Sequence, residues 1–374
     1  MKRIQLMSLA AVLLATSCTS NRQSDDTFAL ETREVDFQDK TGDEIKAMPL
    51  NLEVPGVMDV VVYDSLLIFV TRDPSSMLQV YNKNTLKHLA SFCQRGRAQN
   101  EMAGQAFLIN EQYYFRNRDL IIPLIDNKSL VQKEFNISAS LCEGHTVVEN
   151  TEQRSHDDLE SILLNNGLEN SFSVKNPYID VATGTLTMPV YAVKEHNKIV
   201  REIEVFKEHV NSENPETLEL WYHGGLTKHP DRNLVVMAMG SLDYLLFFDL
   251  DKDKNYAVHQ KGTPTAQDVY VYMDYDKNYS GGFGGPIADR ESDMFFVLYS
   301  GGKYTEDAIN EGTMRSELLL FDWDGNYLGG AKLDTNYHAH SYDPDSKLLY
   351  TVNLASEKIY TFDLSGLMSS IKNK

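Results

Sequence analysis

One short pattern recurs through this 374-residue chain and limits the folds open to it. It runs as a turn, an apolar strand, a polar gap, and a strand that ends in Tyr or Phe followed by Asp or Asn. The last copy is the cleanest: Ser341 to Val352, then Lys358 to Leu364 with Phe362-Asp363 near its end. The first reads as a complete four-strand meander, Val57–Tyr63, Leu66–Val70, Met77–Tyr81 and Leu86–Phe92, joined by turns rich in Asp, Asn, Ser and Pro. Between them lie copies at Asp119–Leu130, Tyr178–Tyr191, Asp231–Leu250 and Met294–Gly325. A spacing of roughly 40–60 residues is within or just above the range of four-stranded propeller blades. One such blade cannot bury both faces, whereas blades stacked around an axis can, and few free edges remain. The pattern therefore predicts an all-β fold over residues 45–374, a six-bladed β-propeller of four-stranded antiparallel blades. The strand near Val57 precedes the first full inner strand and is a candidate to complete the last blade. His156 to Gly167 departs from the pattern and reads as a short helix inserted between blades.

The N-terminus reads as an address rather than as part of this fold. Met1-Lys2-Arg3 is basic, Leu6 to Ala15 is apolar, and small residues lead directly to Cys18. The apolar run is too short to span a bilayer, which takes roughly 20 residues. The layout predicts a signal peptide over residues 1–17 and lipidation of Cys18, with residues 18–44 a polar, flexible tether. Several acyl chains on one cysteine anchor a protein firmly, whereas one chain binds marginally. The expected location is the cell envelope, as an outer-membrane lipoprotein facing the periplasm or the surface.

Charge narrows the partners. Removing Lys2 and Arg3 with the signal takes the formal net charge from −19 to −21. There is no Lys/Arg cluster of the kind phosphate backbones attract, so nucleic acid is not an expected partner. The other two cysteines, Cys93 and Cys142, could pair in an oxidising compartment or remain buried free thiols.

Gln94 to Glu101 follows the first blade, with Gly96 and Glu101 in the places of a Gly-rich G-x-G-P-x-E turn. Tyr299-Ser300-Gly301-Gly302, the run Leu319 to Asn326, and the closing Asp343 to Tyr350 add to this. Together with the lipobox, these features resemble the TolB-like six-bladed propeller lipoproteins of Bacteroidota. The resemblance covers most of the mature chain and implies a fold and a membrane-anchored location, but no established reaction.

Candidate sites are few. Arg95, Arg97, Arg116 and Arg118 fall on connections near the first two blades of an acidic protein and could pair with an acidic ligand, or be solvated loop charges. Tyr304 and Tyr337 lie on expected turns, where they could stack on a sugar or peptide at the funnel mouth. Asp249, Asp251 and Asp253 alternate as calcium ligands do, but Lys254 and Lys261 take the places of the loop's Gly and Glu, which favours a solvated turn. His338 and His340 could share a strand face toward zinc, with Asp334 and Asp343 nearby, or form an exposed blade-edge pair. The Gly-rich Tyr279–Pro286 and His223-Gly224-Gly225 lack the context of phosphate or oxyanion loops. No cofactor is expected, and calcium is the one weak candidate. The preferred reading is a lipid-anchored module binding a glycan, a peptide or an envelope protein. The alternative is a carbohydrate-active hydrolase or lyase with paired carboxylates in the funnel, and its catalytic residues are not identifiable from sequence.

Overall fold

The protein is described by a computed structural model covering residues 28–37, 40–108, 110, 113–154, 160–164, 170–175, 178–180, 185–187, 189–207, 224–240, 242–263, 282–299, 316–335, 337–354 and 356–372. The signal segment, Cys18 and Tyr304 lie outside these residues.

Six antiparallel sheets follow one another along the chain and stack as the blades of a β-propeller. From the inside outward, blade 1 comprises Val57–Tyr63, Leu66–Thr71, Leu78–Asn82 and His88–Phe92. Blade 2 has an interrupted inner strand, Ala106–Leu108 and Tyr114–Arg116, followed by Asp119–Asp126, Val131–Asn136 and Val148–Gln153. Blade 3 comprises Glu160–Leu164, Asn170–Lys175, Val190–Glu195 and Lys198–Ile203. Blade 4 runs from Gly224–Lys228 through Leu234–Met239 and Tyr244–Asp249 to Lys254–Gln260. Blade 5 runs from Ile287–Ala288 through Met294–Tyr299 and Glu317–Asp322 to Tyr327–Leu333. Blade 6 takes Ala339–Asp343, Leu348–Asn353 and Lys358–Asp363 from the C-terminal end and Met48–Pro49 from the N-terminal side.

The recurring aromatic–Asp/Asn pair has two jobs. Tyr81, Phe248, Phe321 and Phe362 end third strands and are buried between blades. The next residue closes the turn. Asn82 Oδ1 accepts from the Asn84 and Thr85 amides, Asp249 Oδ1 from those of Asp251 and Lys252, and Asp322 Oδ1 from those of Asp324 and Asn326. Asp363 Oδ1 takes the Ser365 amide and so leads into the terminal helix Ser365–Lys372. A short acceptor side chain at a strand end satisfies turn amides that the ladder cannot reach.

Three expectations on the course of the chain are corrected. The strand Val57–Tyr63 does not complete the last blade, because it pairs with Leu66–Thr71 as the inner strand of blade 1. Residues 160–164 form the inner strand of blade 3 rather than part of a helix, with Ile162, Leu163 and Leu164 all buried. A short apolar run buried on both sides carries no periodicity that separates helix from strand. The copy at Tyr178–Tyr191 is out of register: Tyr178–Asp180 and Thr185–Thr187 form a separate hairpin, and only Val190 onward belongs to the blade. Helix occurs instead at Ile137–Glu143, where Asn136 caps the start by accepting the Ala139 amide and Gly144 ends it at φ 73°.

The assigned tether also ends too late. Residues 28–37 and 40–49 form a strap around the outside of the ring. Glu31–Val35 adds a parallel fifth strand to blade 4 against Tyr256–Gln260, and Thr41–Ile45 adds another to blade 5 against Gly330–Leu333. Met48 and Pro49 then pair antiparallel with Thr361 and Tyr360 of blade 6. Pro49 lacks an amide hydrogen and suits this outermost position. Between the first two pairings Phe37 inserts, fully buried, among Phe283, Tyr299, Phe321 and Tyr327 at centroid distances of 5.3–5.9 Å. The segment is polar in sequence because its side chains cover edges while its backbone supplies the bonds.

Apolar seams fill the ring between neighbouring blades. The seam that closes the circle joins Val60, Val62 and Phe69 of blade 1 to Ala339, Tyr350 and Val352 of blade 6. The Val62 amide donates to Ser341 Oγ across it at 3.0 Å, and Lys83 Nζ meets the buried Asp343 carboxylate at 2.6 Å. The seam between blades 2 and 3 is the thinnest among the described residues, an apolar cluster of Tyr114, Ile121 and Leu163.

Phe37→Ala should therefore cost about 3–5 kcal/mol in a denaturant titration, as expected for a fully buried aromatic, although it lies in a segment that reads as a tail. Deleting residues 338–374 removes three strands of blade 6 and should abolish the cooperative unfolding transition.

Candidate functional site

The inner strands converge on the propeller axis. Where they end and turn back toward the second strands, residues from blades 2 to 6 enclose a cavity of about 350 Å³. Its aromatic wall is Tyr113, Tyr114, Phe115 and Tyr342, its charged groups are Lys228, Asp231 and Arg290, and Asn110, Thr227 and Ser341 supply further polar groups.

Local chemistry fixes each group. In blade 4 the turn after the inner strand is held by His229, whose Nδ1 accepts the Asp231 and Arg232 amides at 3.0 and 3.1 Å. That places the ring proton on Nε2, 2.8 Å from Asp293 Oδ1 of blade 5, which also pairs with Arg232. The turn so fixed presents Lys228, whose Nζ donates to the His229 carbonyl at 3.0 Å. Burial holds Lys228 below the usual lysine range, Arg290 repels it further, and Asp231 partly offsets both. Arg290 comes from the corresponding turn of blade 5 and reaches blade 2, three blades away around the ring. Its guanidinium lies 3.9 Å from the Tyr113 ring centroid and donates to the Tyr113 carbonyl at 2.6 Å. Tyr113 in turn packs on Tyr63 and Phe115. Asn110 ties the adjacent inner strands together, donating to the Ser161 carbonyl and accepting the Leu226 amide. At Gly225 an added Cβ would stand 2.7 Å from Gly285 Cα, so Gly225 serves close backbone approach between blades 4 and 5 near the axis.

The residues singled out from sequence lie elsewhere. Arg95 and Arg97 sit exposed on the connection from blade 1 to blade 2, at the end of the inner strands opposite the cavity. In that connection the Glu101 carboxylate folds over Gly96, takes the Ala98 amide at 2.8 Å and accepts from Gln94. Lys133 closes the loop from below through the Gln99 and Glu101 carbonyls. Arg116 is committed to Glu134 and Glu149 within blade 2. Arg118 is exposed on the adjacent turn, outside the cavity lining. Tyr337 is buried against His340 and Phe362 rather than displayed on a turn. The four arginines do not form one site.

Asp249, Asp251 and Asp253 occupy a blade 4 turn, where Asp249 accepts backbone amides, Asp251 accepts from Asn233 and Asp253 faces Arg201 at 3.7 Å. His340 is buried on the inner strand of blade 6, whereas His338 is exposed and its Nδ1 accepts the Leu354 amide, so only one of the two is open to solvent. Among the described residues no three His, Cys, Asp or Glu side chains converge as metal ligands. Cys93 is buried and Cys142 exposed on its helix, both as free thiols, and burial pushes the Cys93 thiol up to about 12.

The fold is similar to that of a DUF4221 family member from Bacteroides vulgatus, with 10% identity over 90% of this chain and 98% of that one at a TM-score of 0.53. A candidate exported protein of Bacteroides fragilis is 11% identical over 89% of this chain and 98% of its own, at a TM-score of 0.48. The β-propeller domain of Cps50 (Swd1) from Myceliophteria thermophila gives 9% over 85% and 100%, at 0.41. At such identities the likeness concerns the fold alone. No family profile and no curated protein matches the chain.

Two inner-strand groups make stability depend on pH in opposite senses. Burial lowers His340 from 6.5 to about 4. Between those values the unfolded chain takes up a proton that the folded chain does not, so the His340 contribution is full above 6.5 and is lost as pH falls toward 4. Asp59, half-buried on blade 1, is raised by burial from 3.8 to about 7, so its contribution is full below 3.8 and is lost as pH rises toward 7. The stability gap between wild type and His340→Gln should thus widen by about 3 kcal/mol from pH 4 to 6.5, measured by urea unfolding. Asp59→Asn should narrow the loss between pH 4 and 7.

Proposed function

We propose that the chain is a lipid-anchored extracytoplasmic binding module, of the TolB-like propeller lipoprotein kind, that takes a small ligand or a ligand terminus in its funnel. The observation that carries this reading is the axial cavity, to which five blades contribute and which combines an aromatic wall with a few convergent polar groups. Such a cavity has the makeup and roughly the size of small-molecule sites, about 300–1,000 Å³. A glycan or a peptide end meets these requirements better than an extended protein surface does.

Hydrolysis or lyase chemistry on sugars draws on two placed carboxylates or a metal. The described lining offers one carboxylate, Asp231, which favours binding over turnover.

The location rests on the basic, apolar and small-residue run ending at Cys18. Labelling with a fatty-acid analogue during expression should mark the protein and place it in the membrane fraction, and Cys18→Ser should lose both. For the funnel, full-length protein in detergent should bind members of a glycan and peptide array, with and without calcium. Tyr113→Ala should weaken that binding by about tenfold or more, since it removes stacking area and the seat of Arg290. Turnover of an array member would replace the binding reading by the enzymatic one.

A further inference from the structure

In a chain with 54 acidic and 35 basic residues, the described cavity lining has the reverse balance, although Asp289, Glu291 and Asp343 stand close enough behind it to act on Tyr342. Among the described residues that line the cavity, Lys228 and Arg290 are accompanied by one carboxylate, Asp231. Neither cation is within salt-bridge distance of a carboxylate among the described residues. Lys228 bonds to the carbonyl of its own turn, and Arg290 to the carbonyl and ring of Tyr113. Elsewhere both arrangements occur: Lys83 is matched by Asp343 and Arg116 by Glu134 and Glu149, whereas the buried Lys133 is held by the Gln99 and Glu101 carbonyls and closes a loop rather than lining a cavity. Two like charges in a partly desolvated pocket repel each other, and backbone carbonyls compensate them only in part.

Position sharpens the point. The turns after the inner strands of blades 4, 5 and 6 are in register: His229, Asp289 and Asp343 stand opposite Leu234, Met294 and Leu348. The next residue is Pro230 in blade 4 and Pro344 in blade 6, both lining the cavity, but Arg290 in blade 5. A turn of this form does not require arginine. The side chain instead crosses the mouth to the opposite blade, and a planar guanidinium with several donors suits a carboxylate, phosphate or sulfate.

We propose that the funnel takes an anionic sugar unit, with its carboxylate, phosphate or sulfate group between Lys228 and Arg290 and its ring against Tyr113, Phe115 and Tyr342. This deepens the binding reading and rests on it. The Tyr113 carbonyl holds the guanidinium in the absence of the anion and gives it up, wholly or in part, on binding.

The test is calorimetric titration of the full-length protein in detergent with galacturonate, trigalacturonate, a sugar phosphate and a sulfated sugar, against the neutral parent sugar of each and the methyl esters of the two uronates. An acidic member should bind, and its neutral counterpart should bind at least about tenfold more weakly, as the loss of a charge-assisted bond implies. Lys228→Met and Arg290→Gln should each weaken the acidic probe by a similar factor and the neutral one by much less, with each variant still unfolding in a single cooperative transition. The acid, phosphate and sulfate arms separate the possible anionic groups. Equal binding of acidic and neutral probes, sensitive to Tyr113→Ala, would overturn the anionic assignment and leave the funnel reading intact. Absence of binding by every probe up to 10 mM (about 10⁻² M, weaker than any specific site of this kind) would overturn the assignment, and the funnel reading would then depend on the array alone.

Discussion

A blade with two apolar faces has no stable existence alone, and every feature of this chain answers to that constraint. Each sheet buries one face against the preceding blade and the other against the next. A linear stack would still leave two faces bare, so stability requires the first and last blades to meet. They do so through Val60, Val62 and Phe69 against Ala339, Tyr350 and Val352, reinforced by the Lys83–Asp343 ion pair. The strap adds a second form of closure. By pairing with blades 4, 5 and 6 it ties the N-terminal side of the chain to its C-terminal half and covers three sheet edges that would otherwise stay open. Among the described residues no such strand covers blades 1, 2 and 3, and Leu89, Ile199 and Val200 on the outer strands of blades 1 and 3 are exposed.

Ring closure also makes the site. Inner strands brought to one axis place the ends of unrelated repeats side by side, so residues far apart in sequence share a cavity. Arg290 and Tyr113 are separated by 177 residues and meet across the mouth. The His229–Asp293 bond works at shorter range, linking two neighbouring turns so that Lys228 is held rather than merely nearby.

The fold was legible because its constraint is periodic. Phe248-Asp249 and Phe321-Asp322 each carry both halves of the blade signature, an aromatic for the seam and an acceptor for the turn. Legibility failed where the signal was local and ambiguous. Ser161 to Leu164 has too few residues to show a period, and the hairpin at Tyr178–Thr187 imitates a blade strand without stacking as one. The strap was missed for a different reason: its polar side chains describe what faces water, while its backbone bonds leave no trace in composition. Site residues were the least legible. The exposed arginines near the first two blades stood out by charge, yet what distinguishes Arg290 is its place in the repeat, where two sister turns carry proline.

The first described residue of the strap, Phe28, stacks on Tyr244 and packs against Phe206 at the rim between blades 3 and 4. If Cys18 carries the proposed lipid, the ten steps of chain from it to Phe28 bound the distance of that rim from the bilayer at about 35 Å. The disc would then hang by its circumference, like a wheel held at the tyre rather than the hub, and neither opening of its axle would be the fastened end.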